Sequence, residues 1–150
     1  MQMSGYVIIA GSVRMTYRWQ VATQNEFNDI YSLIYNSKFR DTWNEDHMKR
    51  RVIVPLFLNQ LITFYNEVDA LCGFMTIGFL SPQAAEHQSS EGIRNEDWRS
   101  GNELWVIDFL AVDGGGAKML RTITKSLNTE KYQQVKYFRL KYKQNREVFP

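Results

Sequence analysis

Cysteine, histidine and proline are all scarce in this chain, and each scarcity closes off a class of protein. A lone Cys72 cannot form an internal disulfide, which excludes a disulfide-stapled secreted fold. It lies in an apolar stretch, where a free thiol acts as a small core hydrophobe. The only two histidines, His47 and His87, are far apart and have no cysteine cluster near them, so no zinc site or other metal centre is expected. With three prolines, nine glycines, no low-complexity tract and no internal repeat, nothing reads as a flexible linker. The longest apolar run, Val52 to Leu58, falls far short of the ~20 residues of a membrane span. Met1 to Gly5 lacks the basic residues and small-residue cleavage site of a secretory leader. A cytoplasmic protein without a membrane span is the expectation.

What is present is core-forming. The chain has 150 residues, 44 % of them hydrophobic and 14 % aromatic, which suits one domain over 1–150. The net charge of +2 is unevenly spread. Nine Lys or Arg residues fall between Ala117 and Pro150 against only Glu130 and Glu147. This basic third either attracts an acidic partner or keeps a helix and an edge strand soluble.

Val13, Met15, Tyr17 and Trp19 alternate with Arg14, Thr16 and Arg18, the pattern of a half-exposed strand. Thr23 and Glu26 form a capping box, opening a helix with Phe27, Ile30, Tyr31 and Ile34 on its apolar face and an end near Asn36 and Ser37. The charged stretch Asn44 to Arg51 runs into Val52 to Leu58, where Pro55 argues against a helix interior and predicts a helix entered near Pro55 or a bent connection. Gln60–Tyr65 and Ala70–Leu80 read as a hairpin turning at 66–69, with Gly73 and Gly78 marking a bulge or a close backbone approach. A polar segment follows, with a short helix expected around Glu91 to Trp98. Leu104 to Val112 is the clearest central strand; Asp113 to Gly116 breaks it, a helix is expected over Ala117 to Leu127, and a last strand over Val135 to Tyr142. The expected fold class is α+β, an α/β sandwich with a mostly antiparallel sheet flanked by helices.

Asp108 carries the most information. A carboxylate inside the apolar run Leu104 to Val112 loses hydration at several kcal/mol, by order of magnitude, unless it is paired. It is therefore either a structural acceptor or a working group with a tuned pKa. The strand, Gly114-Gly115-Gly116 turn and helix beginning at Ala117 form the second feature, because amides at such a turn suit a pyrophosphate or a thioester oxygen. No Gly-Lys-Ser/Thr follows, so it is not a P-loop, and no parallel βαβ unit surrounds it. No Gly-x-Ser-x-Gly elbow exists. The last strand carries aromatic and basic residues but no RNA-binding motif, so nucleic acid is not an expected partner.

The stretch Asp97-Trp98-Arg-Ser100-Gly101, followed by Trp105-Val-Ile-Asp108, an apolar tripeptide and a glycine turn, resembles the toxin-activating lysine acyltransferases, the hemolysin-activating family. Pro55, Gln60 and Phe138-Arg-Leu-Lys extend the likeness over about Ser37 to Phe149. The resemblance implies an acetyltransferase-like fold, often dimeric, so a homodimer is among the expectations. It implies transfer of a fatty acyl group from acyl-acyl carrier protein, or acyl-CoA, to a lysine of a protein substrate, with no tightly bound cofactor. Asp108 matches the family's catalytic Asp. Gly114, Gly115, Gly116 and Ala117 would cradle the donor's phosphopantetheine, the amides of Gly115 and Gly116 would hold an oxyanion, and the basic final third would suit an acidic carrier.

The family's catalytic His lies three residues before a Trp. Here Ser37-Lys-Phe-Arg40-Asp-Thr-Trp43 puts Arg40 in that place, and arginine is no base at neutral pH. His47, seven residues on, is the available substitute and the second candidate catalytic residue. Two rivals follow from the sequence: a non-catalytic descendant of the fold used for binding or assembly, for example in a phage particle, and an N-acetyltransferase using acetyl-CoA.

Overall fold

The computed structural model describes residues 4–9, 15–37, 40–112 and 135–137. Six strands form one sheet in the order of the chain: β1 (Ser4–Ile9), β2 (Met15–Val21), β3 (Leu61–Tyr65), β4 (Leu71–Leu80), β5 (Glu103–Ala111) and β6 (Val135–Tyr137). The first five pair antiparallel and β6 joins β5 in parallel. Helices α1 (Phe27–Tyr35), α2 (Glu45–Met48), α3 (Val54–Phe57) and α4 (Pro82–Glu91) complete an α+β fold. No helix among the described residues is long and apolar enough to cross a membrane.

Strand alternation divides the core by face. Tyr17, Ile62, Phe64, Met75, Ile77, Leu104 and Val106 pack on one side of the sheet. Leu61, Phe74 and Leu110 point to the other, against Ile30 and Ile34 of α1 and Met48, Val52 and Leu56 of the second helical run. Beside them Leu80, Ala84, Ile93, Trp98 and Ile107 form a third cluster under α4. Period-2 patterning fixes which residues face the helices, so any slip in register moves a side chain from one face to the other.

Several expectations need correction. β1 was not anticipated, because its continuous apolar stretch has no alternation to mark it as a strand. Tyr31 is 47 % exposed rather than inward; Leu33 joins Phe27, Ile30 and Ile34 on the helix face instead. The helix expected over Glu91 to Trp98 lies earlier, at Pro82–Glu91. Ser81 caps it by accepting the Ala84 N–H, Pro82 occupies its first turn, and Gly92 ends it at φ 84°. Only a 3-10 turn, Asn95–Asp97, remains of the expected helix.

Pro55 lies inside helix after all. α2 runs into a π-helical turn, Lys49–Ile53, and that into α3. The Val54 N–H reaches back five residues to the Lys49 carbonyl. This wider turn accommodates a proline that would otherwise clash with the carbonyl four residues before it. The expected glycine turn at 113–116, the helix at 117–127 and the rest of the last strand lie outside the described residues.

Candidate active site

Asp108 owes its direction to a β-bulge. On β4, Thr76 faces Asp108 and Ile77 faces Val106, leaving Ile107 as an extra residue on β5. Val106 points to one face, while Ile107 and Asp108 both point to the helix-covered face. Strict alternation would have put Asp108 beside Val106. Gly78 makes room for the extra residue: a Cβ there would lie 3.3 Å from the Ile107 side chain. The expected irregularity near Gly78 is therefore real, but sits on the partner strand. The one near Gly73 is in β4 itself, where the β3 pairing skips Cys72. Bulges beside working residues commonly re-aim a side chain in this way.

The helical run above the sheet supplies the partners. Asn44 caps it by accepting the His47 N–H at 3.0 Å. His47 and Arg51, four residues apart, share one face of the run. Arg51 Nη1 donates to both Asp108 carboxylate oxygens, at 3.1 and 3.0 Å, and each of the two side chains is only 16 % exposed. The Asp108 backbone N–H donates to the buried Thr76 hydroxyl at 3.1 Å, fixing the strand beneath. The His47 ring stacks on Trp43 with centroids 6.2 Å apart, and Trp43 meets Phe74 edge-on. The ring is thereby anchored to the core.

Electrostatics set the protonation states. Burial pushes the Asp108 carboxyl above its ordinary range, opposed by the charge and hydrogen bonds of Arg51 and then by the charge of His47. His47 is held below the ordinary histidine value by burial, then by Arg51 and Arg50; Asp108 and Asp46 pull the other way. A depressed pKa leaves the imidazole neutral and able to take a proton at pH 7. The structure thus brings His47 and Asp108 into one electrostatic neighbourhood, with the charge of Arg51 acting on both. Among the described residues, no hydrogen bond joins the two directly.

Arg51 is the residue that sequence reasoning missed. A basic side chain in a charged, amphipathic stretch reads as solvated, and only the contact with β5, 57 positions away, reveals it. Arg40 stands apart: it is 55 % exposed, with its guanidinium 5.1 Å from the Tyr35 ring centre. Gly114, Gly115, Gly116 and Ala117 lie outside the described residues. No group of three or more His, Cys, Asp or Glu side chains that could hold a metal forms among the described residues.

The motif from Asp97 to Gly101 turns out to be scaffolding. Asp97 is buried and accepts the Arg94 N–H, while its other contact is His87 Nε2 at 2.7 Å. Trp98 fills the third core cluster. The Ser100 hydroxyl donates to the Asp97 carbonyl and accepts the Ser81 N–H. Gly101 runs so close to Ser81 that a Cβ would sit 2.5 Å from its backbone. Gln60, the other outlying point of likeness, donates to the carbonyls of Ile77 and Trp98 and accepts from Arg99. These contacts lock the segment before β5 onto the end of β4.

Comparison with known proteins agrees with this architecture. A solved acetyltransferase of the GNAT family from Listeria monocytogenes 4b F2365 superposes with a TM-score of 0.54 at 15 % identity, over 84 % of this chain and 76 % of that one. At that identity the likeness concerns the fold. No curated protein matches the sequence. The family described as HlyC, RTX toxin acyltransferase, matches residues 20–148. With nearly the whole chain covered, from β2 past β6, this protein belongs to the RTX toxin acyltransferase family.

Proposed function

We propose that the protein moves an acyl group from a carrier-bound thioester to the ε-amine of a lysine on a protein substrate, with Asp108 and His47 as catalytic residues. The observation that carries this reading is the β5 bulge. It turns a carboxylate out of an apolar strand toward a face where a histidine and an arginine already stand.

A lysine amine has an ordinary pKa near 10.4 and is mostly protonated at neutral pH, so attack on a thioester needs a base. His47, kept neutral by its surroundings, takes the proton. Asp108, paired with Arg51, stabilises the imidazolium that forms and orients the incoming amine. The basic residues between Ala117 and Pro150 suit an acidic acyl carrier protein as donor. The segment from Gly114 to Ala117 is the proposed cradle for its phosphopantetheine, and acyl-CoA shares that chemistry.

The test is mass spectrometry of the protein mixed with acyl-acyl carrier protein and a lysine-bearing acceptor, alongside His47→Ala and Asp108→Ala. Acylation that disappears in both variants supports the assignment. Full activity in Asp108→Ala rejects it.

One observation favours a second reading, a non-catalytic binding or assembly protein. Both oxygens of Asp108 are engaged by Arg51 rather than by an imidazole, and the resemblance puts Arg40 where the family has its histidine. This reading predicts a stable partner or self-association and no thioester loss with any donor.

A further inference from the structure

Arg51 uses one nitrogen on Asp108 and has capacity left over. A guanidinium carries five N–H donors in a rigid fork. Nη1 serves both Asp108 oxygens, and Nε and Nη2 have no partner among the described residues. The side chain is only 16 % exposed, yet neither Nε nor Nη2 is fully buried, so three N–H groups of a partly desolvated cation are open to an acceptor. Nη2 points toward Gly92, where a Cβ would lie 3.7 Å away, and the positive φ at that position keeps a side chain out. Anchored through Nη1, with His47 one helical turn away on the same face, the guanidinium is positioned before any substrate arrives.

We propose that Arg51 is a further catalytic residue of the acyl transfer, its Nε and Nη2 edge receiving the carbonyl oxygen of the thioester as that oxygen becomes negative. The proposal rests on reading the site as an acyltransferase. The neutral lysine nitrogen attacks the thioester carbon, a C–N bond forms, and the carbonyl π pair moves onto oxygen, where Arg51 holds it. The amine proton passes to His47. Collapse restores C=O and breaks the C–S bond, and the departing thiolate takes the proton from the imidazolium, leaving an amide and a free thiol. A preorganised donor in a water-poor site is worth about 10²–10³ in rate. A lysine at position 51 would keep charge but lose the fork.

The experiment follows release of free thiol from acyl carrier protein loaded with octanoyl or 2,2-difluoro-octanoyl thioester, so that water or any amine serves as acceptor. Fluorine makes the oxyanion less basic and less dependent on a donor. Arg51→Lys should slow cleavage of the octanoyl thioester about 10²-fold with little change in KM. That deficit should shrink about tenfold with the difluoro donor, as expected for a contact made only in the transition state. Equal deficits with both donors overturn the proposal and leave Arg51 as a residue that merely positions Asp108. Should Arg51→Lys fail to fold, the same comparison between Asp108→Asn and the Arg51→Gln/Asp108→Asn pair, which removes the charges together, decides by the same criterion. A native protein that cleaves neither thioester overturns the acyltransferase reading, and this proposal with it.

Discussion

Two buried carboxylates face the same side of this sheet and live under opposite conditions. Glu26, at the start of α1, is only 7 % exposed and accepts from Gln20 Nε2, the Thr23 N–H, the Thr63 hydroxyl and the Tyr65 hydroxyl. Burial would raise its pKa, but these four donors outweigh burial and bring it below the usual value. The same contact, together with burial, pushes the Tyr65 hydroxyl well above the ordinary tyrosine range, so it stays a donor. Asp108 has one cation, and burial wins. Full satisfaction by neutral neighbours is how a fold secures an acid it needs for structure. A carboxylate left with one partner, beside a neutral histidine, keeps the capacity to exchange protons and partners.

The contrast breaks most sharply in activity. Asp108→Asn keeps the shape but removes the carboxylate, and thioester cleavage followed by mass spectrometry should fall about 10²–10⁴-fold, as for loss of the group that supports a catalytic imidazole. Glu26→Ala should leave transfer by the folded protein unchanged. It strands the buried Thr63 hydroxyl and the Tyr65 hydroxyl, and should cost about 2–4 kcal/mol in urea unfolding. A substantial loss of activity in folded Glu26→Ala would merge the two sites into one.

Smaller effects sharpen the same comparison. Gly101→Ala drives a methyl into the Ser81 backbone and should cost about 1–3 kcal/mol without touching the site directly. In pH–rate measurements the acid limb belonging to His47 should fall below the ordinary histidine value of 6.5, because its pKa is lowered. For stability the two carboxylates carry opposite signs. Asp108, with its folded pKa raised, contributes stability that is present below its unfolded pKa and lost as pH rises, and Glu26 does the reverse. The folded pKa of Glu26 lies below its unfolded value of 4.5, so its contribution is fully present above pH 4.5 and drains away as pH falls toward the folded pKa. The fall in stability below pH 4.5 should therefore be shallower in acid unfolding curves of Glu26→Gln than in those of the native protein.

What could be read from the sequence depended on the range of the contact. The capping box at Thr23 and Glu26 was legible because it is local, and the Glu26 carboxylate does accept the Thr23 N–H. Its partners Thr63 and Tyr65, 37 and 39 positions away, carry no local mark. Asp108 was legible as a charge in an apolar strand, but its direction was not, since a bulge leaves no trace beyond the glycine opposite. Pro55 misled because a π turn absorbs it, and that same turn holds Arg51. The scaffolding role of Asp97 to Gly101 was equally hidden, because it consists of hydrogen bonds to Ser81 and His87 on a neighbouring helix.

The most direct test of the central claim compares free-thiol release from acyl-acyl carrier protein by the native protein, Asp108→Asn and Glu26→Gln, with folding followed by circular dichroism. The account predicts cleavage by the native protein and by Glu26→Gln, and at least about a hundredfold less by a folded Asp108→Asn. Cleavage by Asp108→Asn at the native rate would contradict it.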